Sequence, residues 1–151
     1  MKRILAPILL VVLLFPSLVL GETMDDLVER DGIHYKKYTD VPFDGEMTGK
    51  IQGTFKNGKR DGPWVSYHPN GQLMRAGNYK DGKFDGPWVG YHVNGGLFFK
   101  GTLKDGKKDG PWVYYWSNGG LSSKGTYKNG KYVGPWVTYH KNGQLWFKKT
   151  Y

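Results

Sequence analysis

The chain has 151 residues, which is the size of one domain, and it carries 22 lysines and arginines against 13 acidic residues. It has no cysteine, which excludes disulfide bonds, thiolate metal sites, cysteine nucleophiles and a lipid-modified N-terminal cysteine. The 23 glycines are about twice the usual share, and they do not recur at every third position, which excludes a collagen-like chain.

The first 21 residues have the pattern of a secretion signal. Lys2 and Arg3 precede an apolar run over residues 4–20 that two prolines interrupt. We therefore expect a signal peptide over 1–21, cleavage near Gly21–Glu22 and export to the periplasm or the extracellular space. The alternative is a retained membrane anchor, which needs about 20 apolar residues, whereas this run has 17 positions.

Charge is unevenly distributed along the rest of the chain. Residues 22–46 carry eight acidic and three basic side chains, a net of −5, whereas residues 47–151 carry five acidic and seventeen basic side chains, a net of +12. The asymmetry fits an anionic partner, an acidic segment folded over its basic neighbour, or a plain solvated surface. Residues 22–30 form a short acidic leader, either a short helix capped by Thr23 or a disordered segment.

Four tandem units of 24 residues follow, and they align without a gap. Twelve of the 24 columns are identical in all four units, and each unit begins with a glycine. The units span residues 53–76, 77–100, 101–124 and 125–148, and residues 149–151 begin a truncated fifth unit. Such regularity predicts a repeat architecture in which neighbouring units bury each other's surfaces.

Each unit contains two turn signals separated by strand-like segments. The first is Asn-Gly or Asp-Gly, as at Asn57–Gly58, and the second is Asn-Gly, as at Asn70–Gly71. Both dipeptides suit tight hairpins, because their residues accept the positive φ of a type I′ turn. The segments between them are rich in Trp, Val, Tyr and Thr. The sequence therefore predicts an all-β fold, a single-layer antiparallel β-meander solenoid of 24-residue hairpins with about two strands per unit.

Strand alternation sorts the repeated side chains by face. One face carries the tryptophans and the other carries the valines and tyrosines. We expect equivalent rings in neighbouring units to stack in ladders. These candidate frame and binding residues are Trp64, Trp88, Trp112, Trp136, Tyr67, Tyr91, Tyr115 and Tyr139. The proline that precedes each tryptophan cannot donate a ladder hydrogen bond, so it must lie at a strand start or a bulge.

Tandem units with an Asp-Gly-Pro-Trp-Val-x-Tyr strand and an Asn-Gly-Gln-Leu turn resemble the MORN repeat variant and, more narrowly, the bacterial YwqK-type antitoxins. The resemblance covers residues 53–151. It extends more weakly over 31–52, which looks like the N-terminal capping half-unit of such chains. Family members include scaffolds, membrane-associated proteins and proposed toxin neutralisers. The resemblance therefore implies a binding role, such as that of an antitoxin- or immunity-like neutraliser. The expected export signal would place this role outside the cytoplasm.

Two repeated columns carry side chains that are common in active sites. One holds His68, His92 and His140, with Trp116 in the third unit, and the other holds Asp61, Asp85 and Asp109. Equivalent residues are about 10 Å apart, which is too far for two histidines to share one ion. Identical surroundings give the three carboxyl groups no means of separating their pKa values. We expect no catalytic site, no metal site and no cofactor.

A binding function remains, with two hypotheses. The first is a protein partner, which could add a strand beside the one that ends at Tyr151. A second copy of the chain could pair there in the same way, although Lys148 and Lys149 would oppose such edge-to-edge self-association. The second is an envelope polysaccharide or anionic lipid, contacted by tryptophan rings and by turn lysines such as Lys56 and Lys59. No nucleic-acid module is present. Variable columns supply the candidate recognition residues, which are Phe98, Tyr114, Trp116 and Trp146.

Overall fold

The computed structural model describes residues 21–151, so the expected signal peptide lies outside the described residues except for Gly21. No helix in this part of the chain has the length and apolar character needed to cross a membrane. The strands up to Lys56 are β1 Leu27–Arg30, β2 Ile33–Lys36, β3 Gly45–Met47 and β4 Ile51–Lys56. The later strands are β5 Lys59–Tyr67, β6 Leu73–Lys80, β7 Lys83–Tyr91, β8 Leu97–Lys104, β9 Lys107–Lys108, β10 Gly110–Tyr115, β11 Leu121–Lys128, β12 Lys131–Tyr139 and β13 Leu145–Thr150.

Consecutive strands are also neighbours in space. Strands β3 to β13 form one antiparallel sheet in chain order, except that the two-residue β9 pairs only with β8, and β10 pairs directly with β8. Strands β1 and β2 form a separate hairpin. The prediction of an all-β chain of antiparallel hairpins is confirmed.

The first turn of each unit has the geometry that its sequence predicts. At Asn57–Gly58 the two φ angles are 50° and 71°, and the equivalent pairs of the other units are also positive. The prediction for the second turn is wrong, because there only the glycine has a positive φ. In the first unit this loop runs from His68 to Gln72, with Gly71 N donating to His68 O at 2.9 Å and Gln72 N donating to Asn70 Oδ1 at 3.1 Å. The asparagine side chain therefore builds this turn.

The prolines lie at bulges, as predicted. Gly53 pairs with Trp64 while the next residue, Thr54, pairs with Asp61, so Gly62 and Pro63 are extra residues on β5. The bulge glycine has a φ of 79°, and its equivalents in the other units are also positive. This backbone explains why a glycine precedes each proline.

Each unit begins with a glycine because the tryptophan of the same unit lies on it. A Cβ added to Gly101 would be 2.6 Å from Trp112 Cγ, and one added to Gly77 would be 2.7 Å from Trp88 Cγ. The four tryptophans are 3–8 % exposed. Three of the indoles also donate to a backbone carbonyl across the strand pair, as Trp112 Nε1 does to Thr102 O at 3.0 Å. This close approach fixes the register between the two strands.

The buried rings alternate along the sheet, which corrects the expectation that equivalent rings stack on each other. Trp64 and Trp88 are separated by Tyr79, whose ring makes edge contacts with both at 5.5 and 5.6 Å. Tyr127 lies in the same way between Trp112 and Trp136. The intervening column, absent from the sequence-based prediction, consists of Phe55, Tyr79, Leu103 and Tyr127. Edge-to-face contacts are favourable because the positive edge of one ring meets the negative face of the other. The alternating order lets tryptophan and tyrosine make such contacts with each other.

The acidic N-terminal part packs against the first unit. Leu27 lies in the same buried cluster as Phe55 and Trp64, and His34 N donates to Gly58 O at 2.8 Å. A single 3-10 turn, Met24–Asp26, is capped by Thr23, and β1 follows it directly. Of the two alternatives for the leader, a short helix or a disordered segment, only this one helical turn is present. The boundary placed between leader and cap at residue 31 falls inside the β1–β2 turn, at Asp31–Gly32. The acidic side chains that form ion pairs here have partners within the same part: Glu22 with Lys36, Glu29 with His34, and Arg30 with Asp40. None of these three pairs involves a lysine or arginine of the repeats.

Candidate functional site

The two faces of the sheet differ in burial: one carries the buried tryptophans, and the other carries half-buried valines and tyrosines with exposed lysines. The tryptophan face carries the buried rings. The opposite face, here called the lysine face, carries the repeated valines, the repeated tyrosines and one lysine from each of units two to four. Its members are Val65, Val89, Val113, Val137, Tyr67, Tyr91, Tyr115, Tyr139, Lys100, Lys124 and Lys148.

Three lysines cross the middle of the lysine face in a straight file. Lys100 pairs with both Val89 and Val113, and Lys124 pairs with Val113 on its other side. Lys148, in β13, continues the file beyond the last valine. Successive lysines are two strands apart, which is about 10 Å. All three are exposed, and within residues 21–151 none of them forms an ion pair. The file therefore presents uncompensated positive charge to solvent.

The tyrosine column runs beside this file. Each tyrosine is two residues after the valine on the same strand, so both side chains project from the same face. The four tyrosines and four valines are half-buried. A partly exposed row of rings and methyl groups thus borders the lysine file, an arrangement that can accept both apolar and anionic groups.

The turn lysines are a weaker candidate for binding anionic ligands than their number indicates. Each unit places two lysines directly opposite each other beside its first turn, as with Lys56 and Lys59. However, all five acidic residues of the segment 47–151 also belong to this edge, either in the turn or just after it. One of them, Asp109, pairs with Lys128 at 3.4 Å. The lysine file in the middle of the face, which the sequence-based prediction missed, has no such neutralising residues.

Two members of the aspartate column, Asp61 and Asp109, cap the first turn of the following unit. Asp109 Oδ1 accepts from Asn129 N at 3.3 Å, Asp61 Oδ1 accepts from the turn residue Asp81, and Asp44 accepts from Asn57 in the N-terminal part. The hydrogen bond from Asn129, aided by Lys128, lowers the pKa of Asp109. This use of the carboxylates is structural.

The histidine column selects a ring N–H donor and not merely a large planar group. His68 Nε2 and His92 Nε2 lie 2.9 Å from the carbonyls of Tyr91 and Tyr115 in the next unit. In the third unit, Trp116 Nε1 donates to Tyr139 O at 3.2 Å. The second-turn asparagines make a parallel bond, as when Asn94 Nδ2 donates to Ser117 O at 2.9 Å. These bonds join the second turn of one unit to the next unit.

Replacing His92 by phenylalanine tests this role. We expect His92→Phe to lower the free energy of unfolding by about 1 kcal/mol, because the carbonyl of Tyr115 loses its donor. His92→Trp should stay within about 0.5 kcal/mol of wild type, since tryptophan occupies this column in the third unit. The measurement is urea denaturation. His140→Phe is the matched control, because His140 is exposed; equal losses at positions 92 and 140 would rule out a specific donor role.

The four candidate recognition residues do not form one site. Phe98 is 41 % exposed, and its ring lies 6.5 Å from that of Tyr114. Trp116 is engaged in the inter-unit hydrogen bond described above, with Lys141 Nζ 5.7 Å from the centre of its ring. Trp146 lies apart on β13 and is 61 % exposed. The structure therefore brings together two of the four.

The four repeated tryptophans are buried. Trp112 is 3 % exposed, and Lys108 Nζ lies 4.5 Å from the centre of its ring. Lys108 also lies close to Tyr114 and Tyr127, and burial raises the pKa of Tyr127. These rings are occupied by one another and by this lysine. The four repeated tryptophans, which were expected to contact an envelope ligand, are therefore largely inaccessible. Within residues 21–151 no three His, Asp or Glu side chains are grouped to hold a metal ion.

Comparisons with known proteins define the class of repeat. The MORN repeat variant matches residues 60–81, 108–129 and 132–151. These segments coincide with the strand pairs β5–β6, β10–β11 and β12–β13, so the chain contains MORN repeat variant units. No curated protein matches the chain. A solved structure described as the GtfA/B complex bound to UDP and GlcNAc aligns at 10 % identity with a TM-score of 0.27, covering 91 % of this chain and 25 % of that one. This chain thus spans about a quarter of that protein.

Proposed function

We propose that the protein is a non-enzymatic, exported binding module whose lysine face contacts an anionic component of the cell envelope. In this proposal residues 1–21 direct export, and the 24-residue hairpins form a solenoid that displays the face along its length. The antitoxin-like role implied by the narrower resemblance to YwqK-type proteins is a second form of the same binding function.

The uncompensated lysine file is the observation that carries the proposal. Lys100, Lys124 and Lys148 are exposed, regularly spaced and free of ion pairs within the described residues. On the other face the four repeated tryptophans are buried by neighbouring rings. Charge of one sign on an open surface raises the local concentration of anionic ligands and steers their approach. The half-buried tyrosines beside the file add apolar contact area.

Removing the three file lysines tests the proposal. We expect the triple variant Lys100→Gln, Lys124→Gln, Lys148→Gln to bind purified cell envelope at least tenfold more weakly in co-sedimentation, since each lysine near an anionic surface contributes about 1 kcal/mol. Wild-type binding should weaken as salt is raised. The matched control, Lys56→Gln, Lys80→Gln, Lys104→Gln, removes the same charge from the turn edge and should lose less than about threefold.

Equal losses in the two triple variants would contradict a specific role for the lysine face. Binding that survives in the first variant and disappears when the envelope is treated with protease would instead support a protein partner. The exposed Phe98 beside Tyr114 is the surface that favours this second candidate, because aromatic side chains are enriched at protein interfaces. A toxin to be neutralised would be such a partner.

A further inference from the structure

We propose that the ligand of the lysine face is an extended linear polysaccharide with one acidic group in every disaccharide, lying across the strands. The inference rests on the proposed function and names its ligand class. The polymer would follow the direction of the strand-to-strand hydrogen bonds, so that each 24-residue unit contacts one disaccharide.

The spacing of the lysine file sets the repeat of the ligand. Lys100 and Lys124 both flank Val113, so they are two strands apart, as are Lys124 and Lys148 on either side of Val137. This interval is about 10 Å, and one strand spacing is about 5 Å. A sugar residue in an extended chain has a similar length of about 5 Å, one strand spacing. A carboxylate on alternate sugars would therefore meet one lysine per unit.

The tyrosine column has the same period and lies beside the file. Tyr115 and Tyr139 each come from the strand that also provides a valine between two lysines, and Tyr91 comes from the strand whose Val89 lies between Ala76 and Lys100. The apolar C–H face of a sugar ring packs on an aromatic ring in the way that other apolar groups do. Alternate sugars would then contact a tyrosine while their neighbours carry the charge to a lysine.

The use of lysine also favours a ligand selected by charge spacing. Arginine forms a planar, two-point contact with a single carboxylate or phosphate, whereas lysine is a flexible point charge. The file contains only lysines, and the two arginines of the repeats, Arg60 and Arg75, lie on other columns. Arg60 is stacked between Trp64 and Tyr79 on the tryptophan face. A polymer with regularly spaced charges suits the lysine file.

Sheet twist favours a polymer over a flat membrane. Adjacent strands rotate by roughly 20–25°, so equivalent residues in neighbouring units differ in orientation by roughly 40–50°. A planar lipid surface cannot meet Lys100 and Lys148, which are four strands apart, with the same geometry. A flexible chain can follow the rotation, and a file near the middle of the strands deviates least from a straight line.

Hyaluronan oligosaccharides of increasing length test the inference, because this polymer carries one carboxylate per disaccharide. The affinity of the full-length protein for these oligosaccharides, measured by isothermal titration calorimetry, should rise with length and level off near six sugars. Six alternating contacts are available, from Tyr91 on β7 to Lys148 on β13, and they span five strand spacings, about 24 Å. Uncharged chito-oligosaccharides of equal length should bind at least tenfold more weakly. Lys124→Gln should cost about fivefold, and Tyr115→Ala a similar factor that added salt does not abolish.

Three results would overturn the inference. The first is equal affinity for the disaccharide and the longest oligomer, the second is equal binding of charged and uncharged oligomers, and the third is tighter binding to vesicles of anionic phospholipid than to the polymer. In each of these cases the cell-envelope comparison of the two lysine triple variants can still succeed, so failure of this inference is distinguishable from failure of the proposed function. Unchanged envelope binding in the Lys100, Lys124, Lys148 variant would end both.

Discussion

Gly101→Ala is expected to lower the free energy of unfolding by about 3 kcal/mol, the upper part of the range for overpacking in a rigid core. The added Cβ would overlap the indole of Trp112, which is itself 3 % exposed and held by its hydrogen bond to Thr102 O. Neither the ring nor the strand can move without breaking the register between β8 and β10. Urea denaturation followed by circular dichroism measures the loss.

Gly120→Ala is the matched control. Gly120 does not have a positive φ, and an added Cβ would lie 3.2 Å from the side-chain oxygen of Asn118 and 3.7 Å from the carbonyl oxygen of Lys141. Glutamine occupies the same column in the first and fourth units, so a side chain is tolerated there. We expect a change within about 0.5 kcal/mol. A similar destabilisation at positions 101 and 120 would mean that the tryptophan does not lie on the first glycine of its unit.

Trp112→Ala is expected to cost about 3–5 kcal/mol, the range for deleting a large buried aromatic side chain. The ring contacts Phe99, Tyr114 and Tyr127, and its loss would also remove the cation–π contact with Lys108. Because the buried rings of neighbouring units alternate along the sheet, the cavity would remove packing contacts between units. The unfolding transition, measured by circular dichroism in urea, should shift to lower denaturant concentration.

Trp146→Ala makes the same chemical change at a tryptophan that is 61 % exposed. Its cost should stay below about 1 kcal/mol, since little surface is removed from the interior. If the two variants lost equal stability, the distinction between a packed tryptophan face and the exposed aromatic residues of β13 would be wrong.

The repeat made much of the fold predictable. A 24-residue period with Asn-Gly or Asp-Gly at its first turn defines a hairpin by local chemistry alone, and the proline after a glycine defines a bulge. The second turn was mispredicted because the same Asn-Gly dipeptide is used differently there. Asn70 Oδ1 accepts from Gln72 N, and Asn70 Nδ2 donates to Val93 O in the next unit. The second bond joins two units, so the Asn-Gly dipeptide alone cannot predict it.

The packing partners of each ring were harder to predict. Strand alternation correctly placed tryptophan and valine on opposite faces, but it could not indicate that Tyr79 would lie between Trp64 and Trp88. That arrangement depends on the register across two strand pairs, which the bulges shift. One signal was present in the sequence: every unit keeps an apolar residue two positions after its first glycine, as at Phe55 and Leu103.

The candidate site was missed for a related reason. Lys100 ends its unit in a variable column, where the first unit has Ala76, so it did not stand out from the many turn lysines. Only pairing with Val89 and Val113 places it in the middle of a face. The turn lysines are more numerous, but the aspartates beside them lower the net charge of that edge. The net charge therefore predicted a basic surface, but the pairing of the strands was needed to show where on the sheet it lies.

Nuclear magnetic resonance of the full chain tests most directly whether the tryptophans form a packed face and leave the lysine face free. The α-protons of Gly53, Gly77, Gly101 and Gly125 should be shifted upfield by ring currents and give nuclear Overhauser contacts to the indole of their own unit, while Gly71, Gly95 and Gly119 should not. Unshifted glycines at the unit starts, or indole contacts to Lys100 and Lys124, would contradict the account.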